Sequence, residues 1–462
     1  MRFTFEPVIA CELAPNYQLD DALLAAALII APYPITLHTP QLQVKKWLAT
    51  YLTGYADETQ NKIWLLDSGR TALYLLLNTL NLPKGSEVLL QAFSCVVVPN
   101  AILQAGLKPV LCDINKETYN FDHASLEAKI TEKTKVIIVQ HTYGIMDNME
   151  AIAKIANKYN LLIIEDCAHS LGSQQVSKKE QKNAGSFGHA AIFSFGRDKI
   201  VSSTVGGAAV INIDVFQKMP KTRQAKVVDP YKWADDMELE YDLLPNMSVK
   251  STLQSLFYPL LTTFLVRPLY SLNVGKAILL FAQKTKIAAD VYTKAEAEGT
   301  NMVVGGSKYS SRLACSLLNQ LKKFPLFKTH RDKLAAFYAT EFESEYNPDT
   351  MYLRYPLNIE TLLPAQKKSK KKQKIEFKEL WFTLKRRLQN RSILMGTWYT
   401  NIFLPQQVQL KKFGYKKGSL PNAEELVDYR IINLPTNINT SKKDAKKVVH
   451  LVKEILADAD GL

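Results

Sequence analysis

Cysteine is scarce in this chain. Only five occur in 462 residues, Cys11, Cys95, Cys112, Cys167 and Cys315, an odd number at wide spacing. No CxxC pair is present, so neither a zinc framework nor a disulfide scaffold is indicated, and no metal site is expected. A reduced, cytoplasmic setting follows. Long apolar runs are also missing. Residues 22–32 are apolar but too short to span a bilayer. The first fifteen residues lack a sustained apolar core, so a signal peptide is not expected. No internal repeat is apparent. The basic run from Lys367 to Lys374 contains no aromatic residue, which argues against a nucleic-acid platform.

Positive charge is plentiful: the net charge is +14. The Lys367–Lys374 run reads as a solvated loop or as a contact for phosphates or an anionic membrane surface. Two apolar patches lie upstream, residues 256–266 and 277–282, interrupted by Arg267, Pro268 and Lys276. They suit helices packed over a large domain or at a subunit interface. The alternative is an interfacial surface, with the protein peripheral at the inner membrane face.

From about 60 to 215 the chain alternates short apolar strands with amphipathic helices. Strands are expected at 63–66, 87–91, 109–113, 135–140 and in the run ending at Asp166, with helices at 71–80, 98–106 and 149–159. Apolar strands about every 25 residues predict an α/β fold whose mostly parallel sheet is covered on both faces. Ligands on such sheets sit at the carboxyl ends of the strands, where Ser68, Gln91, His141 and Asp166 fall. The expected division is an N-terminal arm (1–60), a large domain (61–220), a divergent insert with interdomain helices (221–324) and a small α+β C-terminal domain (325–462).

Lys199 follows the segment Ile192-Phe-Ser-Phe-Gly-Arg-Asp, and Gly206-Gly207 comes shortly after. Asp166 and His169 stand at the end of an apolar strand. This ordered set suggests pyridoxal phosphate: a lysine amine condenses reversibly with an aldehyde, and an aspartate keeps a pyridine nitrogen protonated. Ser194 suits the phosphate. So does Ser68-Gly69-Arg70-Thr71 at a strand-to-helix turn, where backbone N–H groups favour an anion. His141 reads as a hydrogen-bonded histidine at a strand end rather than a catalytic group.

The stretch from about 63 to 212 resembles the DegT/DnrJ/StrS family of PLP-dependent sugar aminotransferases, of fold-type I. The resemblance rests on SGRTAL (68–73), the run 87–122, HTYG (141–144), IIEDCAHSLG (163–172), GSFGHAAIFSF (185–195), and the lysine with its following GG. It implies that Lys199 bonds the cofactor and shuttles protons, and that Asp166 pairs with the pyridine nitrogen. His169 would contact the ring's phenolic oxygen, with Ser194, Gly69, Arg70 and Thr71 at the phosphate. Cys95 stands where many relatives carry an aromatic residue against the ring. The family's GxNxR segment, which contacts the neighbouring subunit's cofactor, is replaced by Gly305-Gly-Ser-Lys-Tyr309, with Lys308 in place of the arginine. The implied function moves an amino group from an amino acid, by resemblance glutamate, to a nucleotide-linked keto-sugar, in a homodimer. Alternatives are a PLP-dependent sugar dehydratase, in which histidine replaces the lysine, and a non-catalytic PLP-binding regulatory protein.

Overall fold

A computed structural model of the chain describes residues 8–31, 39–55, 61–177, 180–218, 228–287, 294–298, 306–363, 377–405 and 408–458. The Lys367–Lys374 run and Gly305 lie outside the described residues.

Seven strands form the central sheet: β1 (Asn61–Leu66), β2 (Glu87–Gln91), β3 (Lys108–Cys112), β4 (Thr134–Gln140), β5 (Leu162–Asp166), β6 (Ala190–Ser194) and β7 (Gly207–Asn212). Their spatial order is β1-β7-β6-β5-β4-β2-β3. Every pairing among β3, β2, β4, β5 and β6 is parallel, while β7 is antiparallel to both β6 and β1. The parallel strands are buried almost throughout, as expected for a sheet covered on both faces. Residues 195–206 contain no helix, so the chain returns from β6 to β7 without the crossover that a parallel pair requires.

The local sequence explains the helices that position the site. Ser68 caps the helix Gly69–Thr79, its side chain accepting the Thr71 N–H at 3.3 Å. The helix therefore starts two residues before its leucine-rich pattern does. Asn148 caps Met149–Tyr159 in the same way. Gly207 brings the helix start against the sheet: a Cβ there would lie 2.4 Å from the Gly69 nitrogen. No side chain can stand at that contact.

A smaller C-terminal unit pairs Tyr355–Asn358 with Ile431–Leu434, antiparallel, under the helices Phe324–Phe342, Phe377–Gln389 and Lys442–Asp458. Tyr338, Tyr355, Leu384, Leu388, Val448, Val452 and Ile455 share its core. Two strand pairs tie distant parts of the chain together. Ile9–Ala10 pairs with Ile393–Leu394, and Ser94–Cys95 pairs with Phe403–Leu404.

Candidate active site

A cavity of about 1080 Å³ opens above the carboxyl ends of the central strands. Ser68, Gly69, Arg70, Thr71, Cys95, Asp166, His169, Ser194 and Lys199 all line it. Nine residues spread over more than 130 positions of sequence are thus brought to one space.

Asp166 ends β5 and is buried. Its carboxylate accepts the Ala168 N–H at 3.0 Å. Burial pushes its pKa up, against the opposing pull of Lys199 and His141. A buried carboxylate so placed is suited to a cationic N–H partner. His169 is buried as well, and its Nδ1 has no hydrogen-bond partner. Burial, aided by Lys199 and Arg354, drives its pKa well below the usual histidine value, so the ring is neutral.

The Ser68–Thr71 turn is braced from below. Asp67 accepts the Thr71 hydroxyl at 2.6 Å and the Ser68 hydroxyl at 3.1 Å. Its other oxygen accepts the Ser307 N–H at 2.9 Å. Ser194 ends β6 beside Gly69. Arg70 forms an ion pair with Glu296, which also lines the cavity. Lys199 follows the turn after β6. Asn16 donates to its carbonyl and, at 3.0 Å, to that of Ile200. Arg331 in turn donates to the Asn16 side-chain oxygen Oδ1, at 2.8 Å. The N-terminal arm therefore fixes the backbone that carries the lysine.

The facing wall was not anticipated by the sequence pattern. Trp398 stacks on His169 at 4.7 Å between centroids, and the Lys199 ammonium lies 4.9 Å from the Trp398 ring. The Arg354 guanidinium covers that indole at 3.6 Å. Arg354 also binds Glu12 at 2.6 Å and Asp198 at 3.2 Å. Glu12 and Trp398 reach the cavity from opposite ends of the chain, and no local motif announces either. Cys95 is a small thiol on the cavity wall, with its pKa raised by burial.

His141 lies outside this chemistry. Its Nδ1 accepts the Asp147 N–H at 3.2 Å, so Nε2 carries the hydrogen, 3.0 Å from Glu165. Glu165 also accepts N–H groups of Gly185, Phe187 and Gly188. Cys167 lies close enough to complete a metal-sized cluster, but the histidine and carboxylate atoms are already committed to hydrogen bonds. Lys308 turns toward its own chain, 3.1 Å from Asp242.

The cavity fits pyridoxal phosphate on its own terms: a buried carboxylate for a protonated ring nitrogen, an unpartnered imidazole nitrogen, a helix start for an anion and a lysine amine. Comparison with known proteins agrees. In sequence, the chain is 35% identical over 164 residues to the GDP-perosamine synthase of Caulobacter vibrioides, covering 36% of this chain and 43% of that protein. The aligned part is thus less than half the length of that relative. In structure, the chain resembles Helicobacter pylori PseC, an aminotransferase of pseudoaminic acid biosynthesis (TM-score 0.67, 19% identity, 98% of this chain and 100% of that one). It also resembles NtdA of Bacillus subtilis with its bound cofactor PMP (TM-score 0.64, 17% identity, 96% and 83%). These likenesses establish the fold-type I architecture. The profile of the DegT/DnrJ/EryC1/StrS aminotransferase family matches residues 59–229 and 290–453, which include all nine of the cavity residues named first above. With most of its length matched to one profile, the chain belongs to the DegT/DnrJ/EryC1/StrS aminotransferase family.

Proposed function

We propose that the protein is a PLP-dependent aminotransferase that moves an amino group from an amino acid to a keto-sugar. Glutamate is the proposed donor and a nucleotide-linked sugar the proposed acceptor, with a homodimer as the working assembly. The placement of Lys199 and the buried Asp166 on one cavity carries this reading.

When bound, pyridoxal phosphate supplies an aldehyde for amine exchange and a ring that withdraws electrons from the reacting carbon. Asp166 holds the ring nitrogen protonated, because a buried carboxylate gains most from a cationic partner. His169, neutral and unpartnered at Nδ1, orients the ring through its phenolic oxygen. Ser194 and the backbone of Gly69, Arg70 and Thr71 take the phosphate at the helix start. Lys199 would hold the cofactor through its amine and, when that amine is free, would serve as the general acid and base that carries a proton at the reacting carbon, a role worth roughly 10²–10⁴-fold in rate. Asn16 fixes the backbone from which that amine swings. Trp398 narrows the substrate side and excludes water, which strengthens the charge interactions around Lys199. The basic balance of the chain helps attract an anionic sugar nucleotide.

The test has two parts. Borohydride reduction followed by peptide mapping should place the cofactor's mass on the peptide bearing Lys199. Mixing the loaded protein with glutamate should then convert the cofactor's visible band to that of the amino form, with release of 2-oxoglutarate. Absence of the label on residue 199 overturns the assignment. A label without conversion by any amino acid would point to a cofactor-binding protein without turnover.

A further inference from the structure

Residues 230–289 form a segment that the family profile does not match. Its described part contains the helices Pro230–Leu243 and Val249–Leu261, a π-helical turn at Thr262–Val266, and the helix Val274–Lys284. The last three fold into a tight hairpin. Gly275 permits the close crossing, since a Cβ there would meet the Val266 carbonyl at 2.1 Å. Arg267 anchors the hairpin by donating to the Tyr17 carbonyl at 3.3 Å. Leu256, Tyr258, Leu261, Val266 and Ala282 turn inward.

The outward side is unusual. Phe264 is 46% exposed, Leu280 57% and Phe281 63%, and Phe257, Leu265 and Val274 are exposed with them. From residue 243 to 289 the sequence has no aspartate or glutamate but has Lys250, Arg267, Lys276, Lys284 and Lys286. All four lysines are exposed. Exposed apolar side chains on this scale mark an interaction surface. The charge identifies the partner. A protein interface core is depleted in lysine, whereas here Lys276 and Lys284 stand exposed on the same helix as Leu280 and Phe281. Lysines interleaved with large apolar groups suit a bilayer boundary, where the stems lie along acyl chains and the ammonium groups reach anionic headgroups. No helix among the described residues is long and apolar enough to cross a membrane. We infer that this hairpin docks the protein on an anionic bilayer surface, with Phe264, Leu280 and Phe281 embedded at the boundary and the lysines among the headgroups. Ser251, Gln254 and Ser255 of the first hairpin helix line the cavity, so docking would hold the active site beside the membrane.

The experiment is co-sedimentation of the full-length, cofactor-loaded protein with phosphatidylcholine vesicles containing or lacking phosphatidylglycerol. The wild type should bind the anionic vesicles, more weakly as salt rises, and leave the neutral ones largely unbound. Phe264→Ser with Phe281→Ser should lower binding about tenfold or more, and Lys276→Gln with Lys284→Gln about tenfold, without change in sedimentation mass. Should the serine pair fail to fold, Phe281→Trp keeps the face apolar, and its emission should shift to the blue with anionic vesicles. A wild type that stays in the supernatant with every vesicle overturns the inference. So does a serine pair that halves the particle mass while vesicle binding is untouched, which would make the face a contact between copies of the chain.

Discussion

The two walls of the cavity are built by different means. The strand-end wall is made of strand ends and one helix start, within residues 68–199. Each group there is placed by a short segment: a β-strand that ends at Asp166, a cap at Ser68, a turn before Lys199. The facing wall gathers Glu12 and Trp398 from remote parts of the chain, with the buried Arg354 behind them. Its order comes from a guanidinium shared between two carboxylates and an indole rather than from any regular element. The first wall should govern the chemistry, and the second should govern which substrate is admitted.

Lys199→Ala should break the comparison most sharply. Transamination should fall by at least about 10²–10⁴-fold and the borohydride-trapped label should vanish, while the melting temperature of the cofactor-free protein barely moves. Asp166→Asn should weaken cofactor binding by about 2 kcal/mol, the scale of a hydrogen bond to a charged group, as read by titration of cofactor into the apo protein. The apo protein itself should become more stable near neutral pH. The folded pKa of Asp166 lies above its unfolded value, so the native state loses stability as pH rises through that interval and the ionised group is a burden until its partner binds. Melting curves with and without cofactor separate the two effects.

Trp398→Ala tests the other wall. Loss of the stack on His169 and of the cation contacts should cost about 1 kcal/mol or somewhat more. Steady-state kinetics should show a larger change in KM for the sugar than for the amino donor, with the cofactor label intact. Equal losses for both substrates would erase the distinction between the walls. His169 sharpens it through pH. Its folded pKa lies well below its unfolded value, so stability present at pH 7 should decline as pH falls below about 6.5. His169→Gln should flatten that part of the stability profile. The smallest effect is expected for Ser68→Ala, about 1 kcal/mol from the lost cap, measured by denaturant unfolding.

Most of the strand-end wall was legible in the sequence. Strand Glu87–Gln91 and helix Met149–Tyr159 stand where apolar periodicity put them, because each buries a face set by its own residues. Boundaries moved by a residue or two where caps decided them, as at Ser68. His141 proved to be the hydrogen-bonded strand-end histidine that the sequence suggested. The facing wall was illegible because nothing near Glu12 in sequence reports a partner more than 300 residues away, and nothing near Trp398 reports His169 or Lys199 about 200 residues away.

Pattern alone therefore determined five of the seven strands and their carboxyl edge, whereas β6 and the antiparallel β7 were not anticipated. Local hydrogen bonding and side-chain period act over a few residues and can be read in order. The meeting of the N-terminal segment, the helices after residue 230 and the C-terminal unit over that edge was decided only by tertiary packing. Contacts such as Asn16 with the Lys199 backbone, or Arg354 with Trp398, have no energy until distant segments are already folded together.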